Sequence, residues 1–192
     1  MRLLFGIFVA FSVAAAVGLG STLLVLMRGT AFGAIELGAW TAWPRNGTSD
    51  IDPYARATLA RSGELPIGSG DGVTFIAKAD DDGKALDGRC DVVLTGITPQ
   101  ARFWTVTLYD SQGRLIANAI DRFGFTSQEL VRRSDGSFEI TVAPQARMGN
   151  WLPTGGVDRY LLMLRLYDTP VGVATRAARE APMPAISMRA CP

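Results

Sequence analysis

Hydrophobic and polar positions divide the chain near residue 28. Residues 3–27 form an uncharged run of 25 positions. As a helix this run is about 37 Å long, longer than the ~30 Å hydrocarbon core of a bilayer. Arg2 and Arg28 bracket it, where their side chains reach the headgroups at either end. The pattern predicts a retained transmembrane anchor over 1–28, with Phe32, Trp40 and Trp43 close to the interface. Ala14-Ala15-Ala16 also contains a small-x-small site, so a signal peptide cut after Ala16 is the alternative; it would leave Val17-Gly18-Leu19 and 23–27 as an apolar exposed tail. One short apolar helix ahead of a long domain favours an inside N-terminus and an exported body. Within the run, Gly6, Ala10, Ala14 and Gly18 recur every fourth residue, a small-residue stripe suited to close packing of a second membrane helix.

Residues 29–72 read as a linker with one short helix. Asp52 is a helix cap, Pro53 suits the first helical position, and 54–62 continues to a stop at Gly63. From Val73 the period changes to two. Strands are predicted over 73–79, 90–95, 102–110, 114–117, 129–132, 137–142, 160–167 and 186–190. In 102–110, Trp104, Val106 and Leu108 share one face and Phe103, Thr105, Thr107 and Tyr109 the other; in 160–167, Leu162, Leu164 and Leu166 align. Asp80–Gly83, Ser111-Gln112-Gly113 and Asp135-Gly136 supply turns. The expected fold is mostly β: a β-sandwich or jelly-roll-like domain over 73–192 with one short helix before it, preceded by a single N-terminal transmembrane helix.

Composition closes several chemistries. The chain has no histidine, which excludes His-based triads and His-ligated metal sites. A net charge of +1 gives no electrostatic case for nucleic acid. Cys90 and Cys191 are the only cysteines; in an exported domain they suggest a disulfide closing a 101-residue loop, worth about 4.7 kcal/mol by chain entropy, while two unpaired thiols are the alternative. Asp80-Asp81-Asp82 lacks the spacing of a calcium loop, and the glycines at 68, 70 and 72 lack the following helix of a phosphate cradle. Glu129, Glu139, Asp121 and Asp158 offer no selected carboxylate pair, and a serine–lysine dyad has only Lys78 and Lys84 to draw on. No residue set qualifies as catalytic, and no metal or cofactor is expected.

The remaining candidates are binding residues. Asn150 and Trp151 read as a loop that either displays an aromatic platform or plugs the open end of the sandwich. Arg102 and Arg165 lie in or beside apolar strands and form either an anion clamp or buried ion pairs with Asp110, Asp121, Asp158 or Asp168. Trp104 and Tyr167 complete the candidate ligand- or partner-binding set.

Three stretches in order, 102–110 (Arg-Phe-Trp-Thr-Val-Thr-Leu-Tyr-Asp), Asn150-Trp151-Leu152-Pro153 and Leu164-Arg165-Leu166-Tyr167, resemble the successive signatures of the DUF1214 domain over about 73–170. Residues 29–66, with Asp52-Pro53-Tyr54-Ala55-Arg56-Ala57, resemble the leader of its shorter, membrane-anchored bacterial branch. The resemblance implies a β-sandwich, and a DUF1254 domain supplied by a separate protein; it implies no activity. Together these features lead to the expectation of a single-pass inner-membrane protein with a periplasmic domain. It would act as a non-catalytic accessory subunit whose partner is a membrane protein reached through the helix, or a DUF1254-type protein. A small-molecule or glycan-binding module of the envelope, and a hydrolase working without histidine, are the alternatives.

Overall fold

The computed structural model describes residues 2–28, 33–62, 65–172 and 181–191. Helix α1, Arg2–Arg28, is the one helix among the described residues long and apolar enough to cross a membrane, with a mean hydropathy of 2.3. The folded body buries none of that span; only Thr22, Val25 and Leu26, near its end, are half-buried. Helix α2, Pro53–Ser62, touches α1. The Asp52 carboxylate accepts from the Tyr54 and Ala55 amides at 2.9 and 3.2 Å, as the sequence-level cap requires. The expected stop, Gly63, and the interfacial Phe32 lie outside the described residues.

The body is two sheets. Six strands form the larger: β1 (Ile35–Leu37), β2 (Trp40–Ala42), β3 (Gly72–Ala77), β5 (Phe103–Asp110), β6 (Gly124–Thr126) and β9 (Tyr160–Tyr167), in the order β1-β2-β3-β9-β5-β6. The smaller comprises β4 (Asp91–Gly96), β7 (Phe138–Ala143), β8 (Asn150–Pro153) and β10 (Ala185–Ala190), in the order β10-β4-β7-β8. All neighbours are antiparallel except β7 and β8. The alternation read from the sequence fixes which faces meet. Trp104, Val106 and Leu108 of β5 and Leu162, Leu164 and Leu166 of β9 turn inward against Val92 and Leu94 of β4 and Phe138, Ile140 and Val142 of β7, in one apolar core. The sandwich class expected from the sequence is the fold observed.

Several elements depart from the expectation. Residues 114–117 and 129–132, expected as strands, contribute only the isolated bridges Tyr109–Leu115 and Arg132–Phe138. Short strands β6 and β8 were not foreseen. The larger correction concerns 35–42, inside the stretch read as linker. It forms β1 and β2, and β2 pairs with β3 from Trp40–Ala77 to Ala42–Phe75. Trp40, expected at the membrane interface, is 1% exposed and donates its indole N–H to the Pro184 carbonyl at 2.7 Å. A ring that large gains most when fully removed from water, provided its N–H finds an acceptor.

The turn at 80–83 joins the same junction. The Asp81 carboxylate accepts from the Ile186 amide at 2.8 Å and the Ala39 amide at 3.2 Å, and the Asp81 amide donates to the Ile186 carbonyl at 3.0 Å. One aspartate thus ties the β1–β2 turn to β10, across the two sheets. The far end of β10 is pinned by the disulfide Cys90–Cys191. Replacing Asp81 by Ala strands two backbone donors and should lower the unfolding free energy in urea by about 1–2 kcal/mol; an unchanged midpoint would show the clasp to be idle.

Candidate functional site

Strand parity sorts the candidate residues onto different surfaces. On β9 the odd positions face away from the core, so Arg165 and Tyr167 stand on the outward face of the large sheet. Register places Arg165 opposite Thr105 and Thr74, Tyr167 opposite Phe103, and Met163 opposite Thr107. The Tyr167 and Phe103 rings meet with centroids 5.9 Å apart. Arg165 leans along the strand, past Met163, to donate to the Tyr109 hydroxyl at 3.0 Å, with its guanidinium 5.4 Å from the Tyr109 ring centre. Met163 is buried although it lies on the outward face. Among the described residues Arg165 has no carboxylate partner, so the buried ion pair expected for it is replaced by a half-buried cation–π contact.

The other candidates are elsewhere. Arg102 is exposed, beside Asp168 at 3.9 Å, a loose pair at the surface and not a buried one. Trp104 shares the inward parity of Val106 and Leu108 and faces the core at 4% exposure, packed on Phe138 with centroids 5.1 Å apart and overlain by the Arg132 guanidinium. Asn150 and Trp151 belong to β8 and not to a loop. The Asn150 carboxamide acts as a side-chain peptide group: its Oδ1 accepts from the Val131 amide at 2.9 Å, and its Nδ2 donates to the Val131 and Glu139 carbonyls at 2.9 and 2.8 Å. Trp151 opposes Thr141 on the outer face of the small sheet and donates its indole N–H to the Ala143 carbonyl at 3.1 Å. Asn150 is buried, and the Trp151 ring is half-buried on that outer face. Phe103 and Tyr109, which sequence reasoning did not select, are the aromatic neighbours of Arg165 and Tyr167; their shared parity was the available signal.

Among the described residues no group of three or more His, Cys, Asp or Glu could hold a metal ion. An open cleft of about 460 Å³ lies by the disulfide and is lined by Arg89, Arg147, Gln145, Val157 and Cys191, among others. Its charges are internally matched. Arg89 forks onto Asp87 at 2.7 and 3.0 Å, and Arg147 onto Asp91 at 2.7 and 3.0 Å. Hydrogen bonds from the Arg89 side chain and backbone hold the Asp87 carboxyl well below the usual carboxylate range. Nearby, burial pushes the Tyr160 phenol well above its ordinary value, so it stays a neutral hydroxyl. Gly88 is required here, because a Cβ would sit on the Val157 carbonyl oxygen.

Comparison with known proteins gives these features a family. The family model described as a protein of unknown function, DUF1214, matches residues 71–171 of the 192. The chain belongs to the DUF1214 family. Its matched region runs from the loop before β3 to the short 3₁₀ turn after β9 and contains Arg165, Tyr167 and the Asp87–Arg89 pair. Among solved structures, the fold is similar to that of the VPA0106 protein from Vibrio parahaemolyticus, with a TM-score of 0.61 and 19% identity over 93% of this chain and 44% of that one. An uncharacterised protein from Burkholderia cenocepacia aligns at a TM-score of 0.41 and 16% identity, over 94% of this chain and 52% of that one. The DUF1214 chain therefore spans about half the length of the solved structures it matches. No curated protein matches it.

Two measurements test the assigned roles. Asn150→Ala leaves the Val131 amide and two carbonyls without partners and should cost about 1–3 kcal/mol in chemical denaturation, with no effect confined to binding. For Asp87 the folded pKa is depressed, so its contribution is present above the ordinary carboxylate pKa of about 3.9 and is lost as pH falls through the folded value. The stability margin of wild type over Arg89→Ala should therefore shrink steadily on acidification below about pH 4; a margin that is constant with pH contradicts the pairing.

Proposed function

We propose that this DUF1214 protein is a membrane-tethered accessory subunit without catalytic chemistry of its own, its sandwich held on the exported side of a bacterial inner membrane. The observation that carries the reading is α1: a membrane-length apolar helix that the body leaves uncovered, joined to a domain whose candidate residues serve packing and pairing. The disulfide supports an oxidising compartment for the domain. The partner is a membrane protein packing on the Gly6, Ala10, Ala14, Gly18 stripe, or a DUF1254-type protein that reaches the sandwich.

A second reading, a binding module for small molecules or glycans, draws on the outward face of the large sheet. There Arg165 offers a guanidinium paired with a tyrosine and, among the described residues, with no acid, beside the Phe103 and Tyr167 rings. Its anion-seeking character separates it from the accessory role: Arg165→Ala should abolish small-molecule binding there and leave subunit association intact.

The accessory role is tested by extracting the tagged full chain from its native membranes. It should resist an alkaline wash, retain residues 3–27, be cut by protease only from the exported side, and carry a stoichiometric partner that Ala10→Leu/Ala14→Leu or sandwich-face substitutions release. A soluble protein whose N-terminus lies beyond Met27, or a lone monomer in mild detergent, contradicts it.

A further inference from the structure

We infer that the exposed face of α2 rests on the bilayer surface and binds anionic phospholipid headgroups, so that the sandwich is docked on the membrane as well as tethered to it. The inference builds on the anchor reading and adds a second lipid contact, made by the folded body itself.

Reach is the first support. α1 ends at Arg28 and β1 begins at Ile35. Seven residue steps span at most about 25 Å even when fully extended. With 35–42 built into the large sheet, the leash is this segment alone and not the 44 positions of 29–72. The β1–β2 edge of the body therefore stays close to the point where α1 leaves the bilayer.

Contact is the second. α2 packs against α1, and the half-buried positions of α1 are Thr22, Val25 and Leu26, in its last turns. That sets α2 at the level of the membrane exit.

The third support is the face itself. Pro53, Tyr54, Arg56, Ala57, Ala60 and Arg61 are exposed, while Ala55 is buried and Thr58 and Leu59 are half-buried. At about 100° per residue the exposed positions form a single arc. Pro53, Ala57 and Ala60 occupy its middle, Arg56 one flank, Tyr54 and Arg61 the other. α2 contains no acid. Neither arginine has an ion pair among the described residues; Arg56 donates to the Ser49 carbonyl at 3.2 Å and keeps its remaining donors. A small apolar strip flanked by arginine and tyrosine suits the headgroup boundary, where stems and ring cover apolar surface and guanidiniums fork onto phosphate.

The native cysteines are joined to each other, so Ala57→Cys introduces a single labelling site at the centre of the arc. The full chain carrying a bimane label there is reconstituted into phosphatidylcholine nanodiscs, with and without phosphatidylglycerol, each containing a nitroxide-headgroup lipid as quencher. Each arginine gains roughly fivefold in occupancy at an anionic surface. Quenching should therefore rise severalfold with phosphatidylglycerol, collapse in high salt, and return to the neutral-lipid level in Arg56→Gln/Arg61→Gln. Equal quenching in the two membranes, or an enhancement that survives the double substitution, overturns the inference. Vesicle flotation separates the two levels: a chain that floats with neither membrane sinks the anchor reading and this inference with it, whereas one that floats with both while quenching stays equal sinks this inference alone.

Discussion

The burial of Trp40 governs how this molecule is put together. Its ring fills the core between the sheets, its N–H is satisfied by the Pro184 carbonyl, and its strand completes the edge of the large sheet beside β3. Because Pro184 immediately precedes β10, one side chain connects the first strands after α1 to the last described strand. Asp81 reinforces the junction with backbone hydrogen bonds on both sides. A segment that would otherwise be leash becomes wall, and the apolar helix α1 and the body are joined by a few residues.

Closure elsewhere follows the same economy of short elements with satisfied edges. β8 lies parallel to β7, an arrangement that ordinarily requires a long crossover. Here residues 144–149 suffice, because only about 10 Å must be retraced to set Asn150 beside Ile140. The resulting edge strand does not offer a free ladder. The Asn150 carboxamide engages Val131, and the Arg122 guanidinium donates to the Trp151 carbonyl at 3.1 Å. These contacts guard an edge that would otherwise recruit another strand. At the opposite edge of the same sheet, β10 is held by Asp81 at its start and by Cys191 beyond its end.

Strong alternation made the centre of the fold legible. β5, β7 and β9 are long enough for a period of two to show, and their inward residues are those the pattern selects. The long apolar helix α1 and the cap at Asp52 were equally plain. What escaped was short. β1, β2 and β6 have three residues each, too few for periodicity, and β8 combines Asn and Pro, which read as loop. Trp104 was legible as core from its own parity with Val106 and Leu108; its size and polar N–H made it look like a ligand platform as well. Arg165 and Tyr167 were selected as chemistry-bearing, but their true neighbours, Tyr109 and Phe103, depend on strand register, which no local pattern encodes. The disulfide followed from cysteine count and compartment, and the structure joins that pair.

The account stands on residues 40–42 being wall and not leash. Native-state hydrogen exchange of the full chain in lipid nanodiscs measures this directly. Strand β2 lies between β1 and β3, so its amides point alternately to the two; those within 40–42 that bond to β3 should exchange only through global unfolding, at the rate of the β3 and β9 core and with the same dependence on denaturant. Exchange of 40–42 at the rate of an unstructured peptide, with β9 still protected, would contradict it and return the body to a long, free tether.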